Sequence, residues 1–417
     1  MKKVTELQSV KSLQISNYSY VLPDERIAKY PLENRDESKL LCYKGGRITS
    51  YQFDELPLLV PDNSLMLFNN TRVIHARIYF EKETGATIEV FCLTPHIPVD
   101  YHQSFEQRER VVWSCMVGNA RRWKDDVLEL RIDMGCEQLL LKARKLERHG
   151  GEFLIEFSWD DPRWTFSDLL EEVGELPIPP YLNRETELED DVTYQTVYSS
   201  DDGSVAAPTA GLHFTPKVLG RLGEAGVKSS YLTLHVGAGT FRPVKAEYME
   251  EHSMHTEFIS FSRDAIEDVL MCGESLIVVG TTSLRAVESL YYIGVKISRN
   301  PNIELSELEV SQWEPYKERY DLSGDEALEA VLTYMDERGL KHLYAQTQIM
   351  IAPGYQFRYP AALVTNFHQP QSTLLLLVAA FVGDGAWRDM YDYALSNDFR
   401  FLSYGDSSIL WREKESN

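Results

Sequence analysis

The chain has 417 residues, 43% hydrophobic and 25% charged, with a formal net charge of −22. That length exceeds what a single hydrophobic core usually supports, and the composition is that of an ordinary globular chain; two or three domains are expected, and disordered and fibrous classes are excluded. The acidity excludes a polyanion-binding surface spread over the whole molecule, since phosphate contacts need Lys and Arg, but it leaves room for a local basic patch.

The chain opens with MKKVTELQSVKSLQISNYSY, which starts with lysines but lacks the apolar stretch of a signal peptide. The longest apolar run, Leu374 to Val382, is about half of the ~20 residues that cross a bilayer as a helix. No membrane segment and a cytoplasmic location are expected. Cys42, Cys92, Cys115, Cys136 and Cys272 are widely spread with no CxxC pair, so neither a disulfide framework nor a zinc site is indicated.

Leu65 to Asn69 reads as a buried strand. From Val73 to Trp159 follow short alternating runs, ARIYFE, ATIEVFCL, VVWSCMV, DVLELRI, EQLLLKA and GEFLIEFSW, separated by turn residues. Their period of two predicts a small barrel or sandwich. Two basic clusters stand out there, NARRWK, with Arg121, Arg122 and Lys124, and KARKLER from Lys142 to Arg148. Solvated loop charge and nucleic-acid contact are both open readings.

From Leu169 helical patterns (PKVLGRLGEAG, SRDAIEDVLMCG, TSLRAVESLYYIG, GDEALEAVLTYMDERG, STLLLLVAAFVG) alternate with strand-like runs (SSYLTLHV, EFISF, SLIVVG, TQIMIA, ALVTNF, FRFLSYG). That alternation predicts an α/β layer or barrel. Because Leu65 to Asn69 belongs with it, residues 73–159 are expected as a small β-barrel domain inserted into a large barrel-like α/β domain of residues 1–72 and 160–417. The acidic stretches Asn183 to Gly203 and Ser298 to Asp325 read as surface loops.

Several strand ends carry chemistry. SVAAPTAGLHFT, Ser204 to Thr215, is uncharged and poorly patterned, ends in His213 and Phe214, and makes a better ligand floor than a core element. TLHVGAGTF puts His235 and the glycines Gly237 and Gly239 at a strand's end, where backbone can approach a ligand, although the GxGxxG fingerprint is incomplete. SLIVVG leads through a tight turn into a helix displaying Thr281, Thr282 and Ser283; these serve as an N-cap or bind an anion or hydroxyls. EEHSMHTEF spaces His252 and His255 as helical neighbours before Glu257, but no full ligand set accompanies them, and hydrogen bonding or proton transfer is the better reading. VTNFHQPQSTLL offers Asn366, Phe367 and His368, and IAPGYQF adds Tyr355; they suit a stacked ring or edge packing. Together these residues describe a site for a polar, ring-containing metabolite.

The blocks SVAAPTAGLHFT, LHVGAGTFRPV, HSMHTE, VGTTSLRAVES, APGYQF, TNFHQPQSTLL and RFLSYGD, with LPDERIAKYPLENRDESKLL, LFNNTRVIHAR, GELPIPPYL and YQTVYS, occur in order over nearly the whole chain. This set resembles the S-adenosylmethionine:tRNA ribosyltransferase-isomerase family. The resemblance implies transfer and isomerisation of the ribosyl part of S-adenosylmethionine onto 7-aminomethyl-7-deazaguanine at the tRNA wobble position. Epoxyqueuosine forms, adenine and methionine leave, and no metal is needed. It also implies that His213, His235, His255 and His368 act as a group with Glu257. Pro208, Thr209, Gly211 and Phe214 would shape the pocket, Thr281, Thr282 and Arg285 would hold polar or carboxylate groups, and Tyr355, Asn366 and Phe367 would face a base. Arg121, Arg122 and Lys124 would meet tRNA, and a monomer is expected. Gly211→Val is expected to block S-adenosylmethionine binding and leave the fold intact. AQTQIMI at Ala345 to Ile351 departs from the family's GxTxLFI, and NARRWK stands for its Pro-Lys-Lys element. A paralogue with another acceptor and a catalytically silent RNA-binding protein are the alternatives.

Overall fold

A computed structural model of the chain describes residues 3–124, 126–133, 138–237, 244 and 246–412. Its largest element is a ten-stranded mixed sheet. At the centre lie four parallel strands, β1 (Leu65–Asn69), β2 (Lys228–Leu234), β3 (Leu276–Val279) and β4 (Ala362–Asn366), in the order β2-β1-β3-β4. β1, β3 and β4 are buried along their whole length. Strands covered on both faces read as continuous apolar runs such as LIVV rather than as alternation. Beyond β2 the sheet continues with Glu257–Ser262, His342–Thr347 and Glu309–Val310, and beyond β4 with Ser407–Trp411, Lys39–Lys44 and Arg47–Gln52.

The helix α1 (Thr281–Arg299) follows β3 and is buried nearly all round, as expected of a helix lodged between a sheet and other helices. It packs on α2 (Gly324–Arg338). The backbones meet closely: a Cβ at Gly294 would lie 2.2 Å from the Ala327 carbonyl oxygen. Ala in place of Gly ordinarily gains a helix about 1 kcal/mol, but forced overpacking costs about 1–3 kcal/mol. Gly294→Ala is therefore expected to lower the urea midpoint at unchanged m; a raised midpoint would show that α2 gives way freely.

The second sheet has seven antiparallel strands in the order Gly174–Glu175, Arg77–Glu81, Thr87–Ile97, Arg110–Val117, Glu152–Trp159, Gln138–His149 and Leu128–Asp133. The sheet is curled, which brings Leu128–Asp133 back near Arg77–Glu81. It encloses a separate core that includes Trp113, Trp123 and Phe157 and extends to Phe166, Leu169 and Leu170 on the helix Phe166–Val173. The fold is thus mixed α/β with a curled antiparallel sheet beside the larger one.

All six alternating runs of this region form strands, and the five helical patterns form helices. Two strand expectations fail. In TQIMIA only Thr347 is in a strand; the rest is irregular backbone, buried from Ile349 to Ala352, whose N–H groups donate to Val310 O from Gln348 and to Gln312 O from Met350. FRFLSYG holds only a bridge at Phe401, and the strand begins at Ser407. Apolarity marked burial there, not strand. Among the described residues no helix is long and apolar enough to cross a membrane.

Candidate active site

The carboxyl ends of β2, β3 and β4 open into a cleft of about 750 Å³, part of it open solvent. Ligands of open α/β sheets gather at such strand ends. Pro208 and Thr209 form part of its floor, Val236 follows β2, Gly280, Thr281 and Thr282 follow β3, and Asn366, Phe367 and His368 follow β4. Gly280 turns the chain at φ 93°, a conformation that favours glycine. Its N–H donates to Val364 O at 2.8 Å, and α1 has no side-chain N-cap. The first-turn N–H groups of α1 are thus left for a ligand, and the helix dipole favours negative or polar groups there.

Behind the floor runs a hydrogen-bonded chain. Thr209 Oγ1 donates to Asn366 Oδ1 at 3.0 Å, Asn366 Nδ2 donates to His213 Nε2 at 3.1 Å, and His213 Nδ1 lies 2.9 Å from Ser38 Oγ. With Nε2 accepting, the proton sits on Nδ1, an assignment that follows from the network. Burial, helped by the charge of Arg400, pushes the His213 pKa down to about 3. His213 is a neutral imidazole outside the cleft lining that orients two groups within it. Ser38 had no signal in sequence beyond its place in the RDESKLL block.

His368 is the one histidine of the four that lines the cleft. Its Nε2 lies 3.0 Å from Thr365 Oγ1, its N–H donates to Tyr391 Oη at 3.0 Å, and its carbonyl accepts from Tyr20 Oη at 2.5 Å. Burial pushes its pKa down to about 3. His235 sits at the junction of the two sheets, 2.9 Å from Thr71 Oγ1 with its ring 4.2 Å from that of Tyr101; burial lowers it to about 4. His255 is exposed, and His252 caps a short turn at Met249–Glu251, so the pair does not share a helix. Among the described residues no cluster with metal-ligand geometry is present.

Glu257 and Arg285 form a buried ion pair, with Arg285 Nε also donating to Ile349 O at 3.1 Å. Burial nevertheless raises the Glu257 carboxyl above its usual range. Neither residue lines the cleft. Tyr355 also lies elsewhere: its hydroxyl donates to Glu288 Oε2 at 2.7 Å, and the same carboxylate accepts from the N–H groups of Arg358 and Tyr359. Phe214 is core, edge-on to Phe53 and Phe68. Gly211 is buried beside Tyr198, whose Oη would lie 2.0 Å from an added Cβ. Gly211→Val therefore forces the packing behind the cleft apart, contrary to the expectation of an intact fold. Gly237 is described, but Gly239 and Cys136 lie outside the described residues.

On the second sheet Arg121, Arg122 and Lys124 are exposed around the turn Ala120–Arg122. Charges in KARKLER are partly satisfied: Arg144 pairs with Glu156 at 2.8 Å, and Lys145 lies over Trp123 and Phe153. The cleft also uses Tyr181, Leu402 and Ser403, which residue chemistry alone did not single out. Tyr181 and Ser403 bond each other through their hydroxyls.

An α/β protein with a metabolite-sized cleft at parallel strand ends, flanked by a β-rich unit carrying exposed arginines, is the class that this fold and site define. A family model described as queuosine biosynthesis protein matches residues 15–410. The chain belongs to that family, the S-adenosylmethionine:tRNA ribosyltransferase-isomerases. It is 35% identical over 404 residues to the S-adenosylmethionine:tRNA ribosyltransferase-isomerase of Halothermothrix orenii, covering 95% of this chain and 100% of that one. With the protein of that name from Nitrosococcus oceani it shares 35% over 408 residues, 96% and 99% of the two chains. A crystal structure titled S-adenosylmethionine tRNA ribosyltransferase from Thermotoga maritima aligns with a TM-score of 0.46 at 25% identity, over 95% of this chain and 100% of that one.

Proposed function

We propose that the protein transfers and isomerises the ribosyl moiety of S-adenosylmethionine onto 7-aminomethyl-7-deazaguanine at the tRNA wobble position, forming epoxyqueuosine and releasing adenine and methionine. The match to the family over residues 15–410 carries this reading. The donor set of the cleft fits the substrate. Uncapped N–H groups of α1 suit oxygens of the sugar or carboxylate, Asn366 offers an amide, and Phe367 offers an aromatic wall. S-adenosylmethionine supplies a sulfonium that acidifies the neighbouring C5′ protons.

The chain's own part is to position the donor, exclude water and handle protons. His368, kept neutral in the cleft, offers a hydrogen bond there, while His213 holds Asn366 and Thr209 in register. His235, His255 and the Glu257–Arg285 pair act from the cleft's surroundings. On this reading residues 73–159 form an inserted small β-barrel domain whose Arg121, Arg122 and Lys124 meet the tRNA, residues 1–72 and 160–417 form the large domain, and the protein works as a cytoplasmic monomer.

Incubation with S-adenosylmethionine and tRNA carrying the deazaguanine precursor tests the reading. Adenine release only with this tRNA supports it; release with another acceptor makes the protein a paralogue, and none under any condition leaves a silent RNA-binding protein. Replacing both Arg121 and Arg122 by Ala is expected to weaken tRNA binding and lower the slope of log K against log salt by about 0.9 per lost phosphate contact. An unchanged slope would remove this patch from the interface.

A further inference from the structure

A second, smaller recess lies on the other side of His213. It encloses about 270 Å³, part of it open solvent, and Arg35, Arg400, Ser38, Thr193, Tyr404 and His213 line it. Among the described residues no carboxylate lines it. Arg35 is half-buried, and its guanidinium is held by neutral acceptors: Nη1 donates to Gln195 O at 2.8 Å and Nη2 to Val192 O at 2.7 Å. Among the described residues it makes no ion pair, so its charge is fixed in place and left uncompensated.

Arg400 is only partly neutralised. The oxygens of Asp406 accept from the N–H groups of Lys39 at 3.0 Å and Arg400 at 2.8 Å, and the carboxylate comes no nearer than 3.7 Å to Arg400 Nη2. The charge of Arg400 biases neighbouring His213 against protonation, after the larger effect of burial, whereas the smaller charge effect of Arg35 is opposed by a hydrogen bond to its backbone. Two cations beside one small concavity that Pro31, Leu32 and Leu212 also line, one of them without an anionic partner, are costly to keep unless something anionic is received there. Ser403 lines both this recess and the main cleft, so a group bound here sits one residue from the substrate.

We propose that the recess between Arg35 and Arg400 is an oxyanion site that takes either a backbone phosphodiester of the tRNA or the carboxylate of the methionyl group. Planar guanidinium forks match either oxyanion in paired hydrogen bonds, which a lysine does not reproduce. Only the source of the oxyanion rests on the function proposed above; the site itself does not.

Inorganic phosphate, titrated into the protein alone at low ionic strength and followed by thermal denaturation, tests the site without any substrate. Wild-type Tm is expected to rise with phosphate, Arg35→Gln and Arg400→Gln to lose most of that rise, and Arg400→Lys to keep part of it. An equal rise in wild type and both Gln variants overturns the site. Using two arginines from distant segments guards against one variant failing to fold. The source is then read from substrates. S-adenosylmethionine binding at least about tenfold weaker in Arg35→Gln, at unchanged tRNA salt slope, identifies the carboxylate. A tRNA salt slope lower by about 1, at unchanged S-adenosylmethionine affinity, identifies a phosphodiester. If neither moves in either variant, the recess receives no substrate oxyanion and the proposal is wrong.

Discussion

Arg285→Leu is expected to lose about 3–5 kcal/mol of stability at neutral pH, because it leaves Glu257 buried and charged without its partner. The pair lies inside the protein, with Glu257 on the strand Glu257–Ser262 and Arg285 in the second turn of α1. Burial already raises the Glu257 pKa in the presence of the guanidinium; removing the cation raises it further. A folded carboxyl with a raised pKa binds more protons than the unfolded one, so the penalty is small at or below the ordinary Glu pKa and grows as pH rises above it. Urea denaturation at pH 5 and pH 8 should show the smaller deficit at pH 5. Glu257→Leu combined with Arg285→Leu should recover much of the loss, since two apolar groups need no partner. If the double variant loses the sum of the two single losses, the residues are not coupled. Arg285 Nη2 has no hydrogen-bond partner among the described residues, so the pair is not a fully satisfied network and its removal as a unit is tolerable.

Local pattern made most of the architecture readable, and long-range contact made most of the site unreadable. The period of two in residues 76–159 and the apolar run LIVV each report what a strand faces, which is a local property. The cleft residues Pro208, Thr209, Thr281, Thr282, Asn366, Phe367 and His368 were legible because strand ends and helix starts carry their own signals. Arg285 and Tyr355 sit in blocks as distinctive as these, yet their partners Glu257 and Glu288 turn them inward. No local pattern separates a helix residue facing a ligand from one facing a buried carboxylate a turn later. Ser38 and Arg35 were missed for the same reason: each gains its role from His213 or from the recess, far away in sequence.

His213→Gln is expected to make the protein less sensitive to acid. In the folded chain the His213 pKa is held down to about 3, against an ordinary 6.5, by burial first and then by the charge of Arg400. Between those two values the unfolded chain takes up a proton that the folded chain refuses, so stability is lost as pH falls from 6.5 toward 3. At 1.36 kcal/mol per unit of pKa difference, this one side chain withdraws about 3 kcal/mol by pH 4. Glutamine does not titrate, and its amide can accept from Asn366 and donate toward Ser38, so the chain of bonds to Thr209 survives in kind. The variant should be level with or slightly below wild type at pH 7, and the gap should move in its favour by about 3 kcal/mol between pH 7 and pH 4. His235 and His368, also held neutral by burial, contribute acid sensitivity to both proteins and cancel in the difference. Parallel stability curves for the two proteins would mean that His213 is protonated in the native state. A protonated ring could not accept from the Asn366 amide, and the orientation of Thr209 and Asn366 toward the cleft would need another cause.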